Sequence, residues 1–224
     1  QKISLGRGLV REDVCAVLFD EPLTVIDPHL KWQLRRKLKQ IHHELKLTLI
    51  YVTHDQIEAL TFADQVVVMT RGRAVQIGSA SELFERPTHT FVGHFIGSPG
   101  MNFLPARRSA AGFEVAGCGF AAPPGVSREI EAFTLGIRPE YVALAGPDAA
   151  GAVPATVRQV QDIGTYWLVS ARVGAGPTET LVRMRLGGGG QAVPSVGEAV
   201  WLGLIGAHTC YYANEHLIEE ATPR

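Results

Sequence analysis

The sequence is poor in cysteine and contains no long apolar run. Three cysteines occur among 224 residues, too far apart for a metal-binding pattern or a disulfide framework, which favours a reducing compartment. No apolar stretch approaches the ~20 residues that cross a membrane, and no signal peptide is visible. The formal net charge is −1, which indicates neither a nucleic-acid-binding nor a membrane-surface protein. Any membrane association is therefore expected to occur through a partner protein.

The most informative stretch runs from Ala16 to Pro22, where an apolar run ends in Asp20 and Glu21. Four consecutive apolar residues predict a strand buried on both faces, as in a parallel sheet covered by helices. Unpaired charge is costly to bury, so both carboxylates are expected at the C-terminal end of this strand, where open α/β sheets bind ligands. In a phosphoryl-transfer site an aspartate there holds Mg²⁺, and its neighbour orients or deprotonates a water. The alternative is a strand that ends in a solvated acidic turn.

A second strand-like run, 48–53, is followed directly by His54. Between the two runs, apolar residues recur at helical spacing over 28–46, and Asp27 is a suitable N-cap for this helix. Strand, helix and strand predict a βαβ unit with parallel strands. The carboxyl ends of both strands then share one edge of the sheet, where His54 and the two carboxylates can converge.

These motifs resemble those in the C-terminal half of an ABC-transporter ATP-binding subunit of the carbohydrate-importer type, which serves maltose or glycerol 3-phosphate. Asp20 and Glu21 match the Walker B aspartate and the catalytic glutamate of that family, and His54 matches its switch histidine. Residues 24–27 stand where the family has its D-loop, with Thr24 and Ile26 in place of the usual serine and leucine. Further matching stretches are Ala63-Asp64-Gln65, Gln76-Ile77-Gly78, Phe91-Val92, Phe95-Ile96-Gly97-Ser98-Pro99, Met101-Asn102-Phe103 and Gly136-Ile137-Arg138-Pro139-Glu140.

The resemblance implies a role for each matched residue. Asp20 would hold Mg²⁺ through a water, Glu21 would polarise the attacking water, and His54 would contact the γ-phosphate of ATP. Asp27, in the D-loop, would belong to the nucleotide-binding set. The implied partners are a second ATPase subunit or a second copy of the chain, transmembrane permease subunits at the inner face of the cell membrane, and a regulatory protein. The implied solute is a sugar or a sugar phosphate.

Three motifs of that family are absent: the phosphate loop G-x-x-x-x-G-K-[ST], the Q-loop and the LSGGQ signature. The simplest interpretation is the C-terminal part of a longer protein, and the alternative is an independent protein.

Two functions stay open: part of an ATPase that powers import or, for the isolated chain, a non-catalytic regulatory or dimerisation module. Because the phosphate loop supplies the groups that hold the nucleotide phosphates, we expect no measurable ATP hydrolysis by the isolated chain. A steady-state ATPase assay distinguishes the two functions.

The clearest domain boundary is Gly97-Ser98-Pro99-Gly100, because all four residues favour turns. Residues 1–97 are predicted to be the C-terminal half of an ABC nucleotide-binding domain, an α/β fold with a partial parallel sheet. Beyond the boundary, short strand-like runs, among them 141–144 and 166–173, lie between Gly, Pro and Ala clusters. They indicate a small β-barrel or sandwich. The resemblance makes residues 98–224 an OB-like regulatory barrel of the TOBE type. Within it, Arg138 and Glu140 are predicted to form a structural ion pair or to anchor a turn.

Nucleic-acid binding by the barrel is not indicated. It would require aromatic and basic residues interleaved on one face, but Tyr166 and Trp167 are consecutive and no lysine follows Lys46.

The histidines other than His54 are predicted to be structural or solvated, because none has a cysteine or a carboxylate at metal-ligand spacing.

Overall fold

The computed structural model describes residues 15–24, 26–46, 48–110, 112–123, 125–127, 129–149, 151–176, 179–187 and 192–218. They divide between two units, each of which is described by itself. The first unit comprises the described residues up to Val67 together with Ile77–Ala80, and the second comprises Val68–Gln76 and the described residues from Ser81 onward. Residues 1–10, whose sequence favours a helix, lie outside the described residues.

The first unit is built on a βαβ element. Strand β1 (Ala16–Asp20) leads to helix α1 (Pro28–Leu45) and then to strand β2 (Thr48–Val52). The two strands are parallel, with Asp20 opposite Val52, as the spacing of the apolar runs predicts. The carboxyl ends of both strands therefore lie at the same edge.

Among the residues that the structure describes, one face of the β1–β2 pair is covered and the other is not. Val17 and Phe19 are buried and form a small apolar cluster with Leu38 of α1. On the opposite face Leu18 is 64% exposed and Ile50 is 51% exposed. The prediction of a strand buried on both faces is therefore wrong for the part of the chain that the structure describes. The physical reason is that α1 packs on one side of the pair, and no described element covers the other side.

Helix α2 (Gln56–Phe62) follows β2 and leads to a hairpin of β3 (Val66–Thr70) and β4 (Arg73–Gly78). The two turn residues Arg71 and Gly72 both have positive φ, 49° and 74°. A two-residue hairpin turn with this backbone matches the right-handed twist of the strands. Arg71 thus shares the left-handed conformation that glycine adopts most readily.

The second unit contains helices α3 (Ala80–Glu85) and α4 (Thr90–Phe95) and a β-rich body. Its strands are β5 (Asn102–Ser109), β6 (Gly112–Val115), β7 (Cys118–Phe120), β8 (Ala132–Ile137), β9 (Ala143–Ala145), β10 (Ala152–Asp162), β11 (Tyr166–Val173), β12 (Thr180–Gly187), β13 (Ala199–Gly203), β14 (Cys210–Ala213) and β15 (His216–Leu217).

These strands form two antiparallel sheets, with orders β12-β11-β10-β13-β9 and β15-β14-β8-β5-β6-β7. One apolar core lies between the sheets, and it joins Leu104 and Leu135 of the second sheet to Val153, Val169 and Leu202 of the first. This architecture is consistent with the predicted OB-like barrel.

Arg138 anchors the helices of the second unit to its β-rich body. Its side chain is 1% exposed, and its guanidinium donates to the main-chain oxygens of Leu83, Phe84 and Ile96. The guanidinium carbon also lies 3.9 Å from the centroid of the Phe84 ring. Arg138 is therefore structural, as predicted, but it holds the C-terminal ends of two helices and not a turn. In packing terms residues 81–97 group with the barrel, and the family-based domain boundary at 97/98 stays a prediction.

The neighbouring Glu140 forms an ion pair, as expected of a structural residue, but its partner is Arg185 and not Arg138. Arg185 Nη1 lies 2.6 Å from Glu140 Oε1, and the Arg185 guanidinium stacks on the ring of Tyr166 at 3.8 Å. The pair connects the segment after β8 with β12, which belongs to the other sheet.

Asn102 closes the gap between the two sheets with its side-chain amide. The amide is 5% exposed; its Nδ2 donates to Arg183 O at 2.8 Å, and its Oδ1 accepts from Arg183 N–H at 2.8 Å. The amide thus satisfies one residue of the edge strand β12 as a neighbouring strand would. Unpaired backbone groups at this buried position would be costly.

Replacing Asn102 with leucine is expected to lower the free energy of unfolding of the second unit by about 1–3 kcal/mol, because the N–H and the C=O of Arg183 lose their partners. Urea titration followed by tryptophan fluorescence measures the change. Gln161→Leu, at an exposed amide on β10, is the control and should have little effect. Equal stabilities for the Asn102 variant and the parent protein would show that the amide bonds contribute nothing.

Candidate functional site

Two of the predicted site residues meet at the carboxyl edge of the β1–β2 pair. Glu21 directly follows β1, and its N–H donates to Val52 O at 2.9 Å, which continues the pairing past the strand end. His54 lies just after β2, and its Nδ1 is 2.8 Å from Glu21 Oε1. The parallel βαβ arrangement thus brings together residues that are 33 positions apart in the sequence.

Glu21 has an unusual backbone. Its φ is 44°, in the left-handed region that non-glycine residues seldom occupy. Thr24 closes the turn that follows, with its N–H 3.4 Å from Glu21 O and its hydroxyl 3.1 Å from Glu21 Oε2. Strained backbone of this kind persists where the surroundings fix it, and such residues cluster at functional sites.

The carboxylate of Glu21 is therefore held at both oxygens, by His54 on one and by Thr24 on the other. Because a carboxylate only accepts hydrogen bonds, Nδ1 of His54 carries the proton in this pair. The hydrogen bonds from His54 and Thr24 lower the pKa of Glu21, and the hydrogen bond to Glu21 raises the pKa of His54. Both side chains are solvent-exposed, so the pair is open to a ligand.

The hydrogen bond between His54 and Glu21 is expected to give both side chains measurably shifted pKa values. His54 contributes stability fully below its ordinary pKa of about 6.5, and this contribution is lost as pH rises through its raised folded-state pKa. Glu21 behaves in the opposite sense, losing its contribution as pH falls through its lowered pKa. An NMR titration of Glu21→Gln is expected to show a lower His54 pKa than in the parent. The exposed Glu44→Gln change should leave it unaltered, and an unchanged His54 pKa in Glu21→Gln would contradict the geometry.

The structure does not add Asp20 or Asp27 to this hydrogen-bonded pair. Asp20 is exposed as the last residue of β1. Asp27 caps α1, and its Oδ1 accepts from His29 N–H at 2.9 Å, so the predicted N-cap is confirmed. Its assignment to nucleotide binding stays a prediction.

Asp20 was also predicted to hold Mg²⁺. Among the residues that the structure describes, no group of three or more His, Cys, Asp or Glu side chains is arranged to hold a metal ion. Mg²⁺ in phosphoryl-transfer sites commonly uses one or two carboxylates, with waters and substrate phosphates as the other ligands. A single exposed carboxylate at a strand end fits that mode.

Glu58 was missed by the sequence analysis. It is 3% exposed and accepts hydrogen bonds from Lys31, Tyr51 and Thr53. A carboxylate three residues after the N-cap Asp55 has the spacing of a capping box, which was the available signal. The sequence pattern could not show that Glu58 points back towards β2 and is buried there.

None of the described helices combines the length and the apolar character needed to cross a membrane.

Comparisons with known proteins agree with the motif pattern. Residues 97–142 match the MalK OB fold domain, and residues 135–210 match the TOBE domain. The sn-glycerol-3-phosphate import ATP-binding protein UgpC of Salmonella choleraesuis (strain SC-B67) is 43% identical over 209 residues, which cover 91% of this chain and 56% of the relative. Over 91% of its length the chain is therefore similar to the ATP-binding subunit of an ABC importer.

Two further relatives show the same similarity. The sn-glycerol-3-phosphate import ATP-binding protein UgpC of Cereibacter sphaeroides is 43% identical over 183 residues, covering 82% of the chain and 51% of the relative. An uncharacterized ABC transporter ATP-binding protein, y4oS, of Sinorhizobium fredii is 39% identical over 211 residues, which cover 90% of this chain and 53% of the relative. The chain thus spans about half the length of the curated relatives it matches. The resemblance to importer-type subunits that the motifs indicate is confirmed.

Proposed function

We propose that the chain is the C-terminal part of the ATP-hydrolysing subunit of an ABC importer whose solute is sn-glycerol 3-phosphate or a related sugar phosphate. The observation that carries the proposal is the hydrogen-bonded Glu21–His54 pair at the carboxyl edge of two parallel strands. The names of the relatives support the solute class.

Glu21 is the candidate general base. Its carboxylate is oriented by His54 and Thr24, and each carboxylate oxygen keeps a further lone pair that can accept a hydrogen bond from a water. A base held in a fixed position converts a bound water into an aligned nucleophile, which is a large part of what a phosphoryl-transfer site provides. In its doubly protonated form His54 donates Nδ1–H to Glu21 and can donate Nε2–H to a phosphate oxygen.

Asp20 would hold Mg²⁺ at the same edge, and Asp27 would contribute to the nucleotide site from the start of α1. When bound, Mg²⁺ supplies positive charge that offsets the charge developing on the phosphate oxygens. The remaining phosphate-holding groups would come from the part of the subunit that carries the phosphate loop. The substrate of the complete subunit is ATP.

The second unit would act as a regulatory domain. Its two antiparallel sheets around one core and its matches to the MalK OB fold and TOBE domains support that role. The complete subunit would pair with a second ATPase subunit or a second copy, and would bind the permease at the inner face of the membrane. A regulatory protein would bind the barrel.

Uptake of radiolabelled glycerol 3-phosphate into proteoliposomes that contain the complete subunit and its permease tests the proposal. We expect uptake that requires ATP and that His54→Ala abolishes, while His94→Ala, at an exposed histidine of α4, leaves uptake at the parental rate. Parallel assays with maltose and inorganic phosphate test the solute class. Parental uptake by the His54 variant would contradict the assignment of the site.

A further inference from the structure

The buried carboxylate of Glu58 is the centre of a polar cluster beside the candidate site. Its Oε1 lies 3.3 Å from Lys31 Nζ, and its Oε2 accepts from Tyr51 OH at 2.9 Å and from Thr53 Oγ1 at 3.2 Å. With only 3% of the residue exposed, the charge has to be satisfied within the protein. Both oxygens of Glu58 are therefore satisfied by hydrogen bonds within the protein.

Two of these donors belong to the segment that carries His54. Thr53 immediately precedes the histidine, and its hydroxyl both donates to Glu58 and accepts from Asp55 N–H at 3.0 Å. Asp55, which immediately follows the histidine, caps α2 by accepting from Ile57 N–H at 2.8 Å. The main chain is thus fixed on both sides of His54.

The His54 side chain, in contrast, is exposed and held through its hydrogen bond to Glu21. The position of Nδ1 therefore depends on where the fixed main chain places the ring. Burial raises the pKa of the Tyr51 hydroxyl, and the hydrogen bond to Glu58 raises it further. Tyr51 consequently remains a hydrogen-bond donor throughout the physiological pH range.

The third donor connects the cluster to α1. Lys31 lies in the first turns of that helix, and its own N–H donates to Asp27 O at 2.9 Å. Glu58 therefore joins the segment after β2 to the beginning of the helix that Asp27 caps. Three elements that surround the candidate site are joined at a single carboxylate.

We propose that Glu58 is a positioning residue for His54, acting through Thr53 and Tyr51 and contacting neither nucleotide nor water. This inference rests on the proposed function. Stability alone is a weak reason for the cluster, because apolar residues of similar size often replace buried ion pairs without loss of stability. What the cluster does fix is the main chain on either side of the candidate catalytic histidine, and small displacements of a catalytic group cost about 10²-fold in rate.

The first test observes the His54 ring directly in this chain by NMR at fixed pH. The Nδ1 proton bonded to a carboxylate gives a distinct downfield signal, as charge-assisted hydrogen bonds do. We expect Glu58→Gln and Thr53→Val to weaken or abolish this signal. Thr53→Ser, which keeps the hydroxyl, should retain it, as should Glu44→Gln at an exposed position of α1. If Glu58→Gln does not fold, the comparison of Thr53→Val with Thr53→Ser decides the question.

The second test measures ATP hydrolysis in the complete subunit. Because the cluster positions a catalytic group and does not bind the nucleotide, Glu58→Gln and Thr53→Val are expected to lower kcat by about 10- to 100-fold while KM for ATP changes by less than about twofold. Thr53→Ser and Glu44→Gln should retain kcat close to that of the parent.

The outcomes separate this inference from the proposed function. Parental kcat in Glu58→Gln and Thr53→Val, together with loss of activity in His54→Ala, would overturn the positioning role. Parental kcat in His54→Ala itself would overturn the proposed function, and a lost NMR signal would then still establish that Glu58 fixes the ring. An unchanged NMR signal in both cluster variants would overturn the inference on structural grounds.

Discussion

Glu21→Gln in the complete subunit is expected to lower the rate of ATP hydrolysis by about 10²- to 10⁴-fold, the usual contribution of a general base. The glutamine side chain has the same shape. Its amide oxygen can accept the hydrogen bond from His54 Nδ1–H, and its NH₂ group can donate to the Thr24 hydroxyl. The local geometry at 2.8 Å and 3.1 Å should therefore survive while the basic group is lost. ATP binding should change little.

Single-turnover hydrolysis and equilibrium binding of ATP separate these two quantities. Glu114→Gln, at an exposed position of β6, is the matched control and should hydrolyse ATP at the parental rate. A Glu21→Gln subunit with parental turnover would mean that Glu21 is an ordinary strand-end carboxylate, which is the alternative that the sequence left open.

Arg138→Met is expected to lower the free energy of unfolding of the second unit by about 3–5 kcal/mol, because hydrogen bonds to a charged donor contribute about 1.5–3 kcal/mol each. The substitution fills much of the same volume but leaves three main-chain oxygens without their donor. Arg138→Lys should recover only part of the loss, because an ammonium lacks the planar fork that reaches several acceptors at once.

Urea unfolding of the second unit measures this effect, with Arg107→Met, at an exposed position of β5, as the control. The control should lie within about 0.5 kcal/mol of the parent, as is usual for surface substitutions. A loss of similar size in both variants would show that the three carbonyl contacts are not what makes Arg138 important.

Much of the first unit could be predicted from the sequence because its signals are local. The apolar periodicity predicted α1, and its cap residue Asp27 was identified correctly. Asp55, directly before α2, is likewise of a residue type suited to a helix N-cap. The exposure of Leu18 and Ile50 could not be predicted. An apolar run indicates that a strand is suited to burial, and it does not show which elements cover each face.

The β-rich unit shows where strand patterns fail. Strand β11 (Tyr166–Val173) was predicted at its observed bounds, but β5 (Asn102–Ser109) was missed because Pro105 and two consecutive arginines are untypical of an internal strand. A strand predicted from Tyr141 is only β9 (Ala143–Ala145). Tyr141 instead lies in the turn after Arg138, where its hydroxyl donates to Glu85 at 2.6 Å.

The candidate site also contains residues that could be predicted from the sequence and one that could not. Glu21 and His54 were identified because each follows a strand, and parallel strands bring their ends together. Glu58 escaped notice because its role depends on Lys31, which is 27 positions away, and on a burial that no local pattern encodes. The contacts that orient the reacting groups are thus less visible in a sequence than the groups themselves.

The hydrogen-bond acceptors of Arg138 determine which positions of the sequence are constrained during evolution. All three are main-chain oxygens, which every amino acid provides, so mutations at the positions that supply them need not abolish the hydrogen bonds. The constraint falls instead on Gly97, where an added Cβ would lie 2.7 Å from Arg138 Nη1 in a backbone with a φ of 110°. Homologues whose sequences differ widely in the helical segment that supplies these oxygens should therefore still have an arginine and a glycine at these two positions, or lack both.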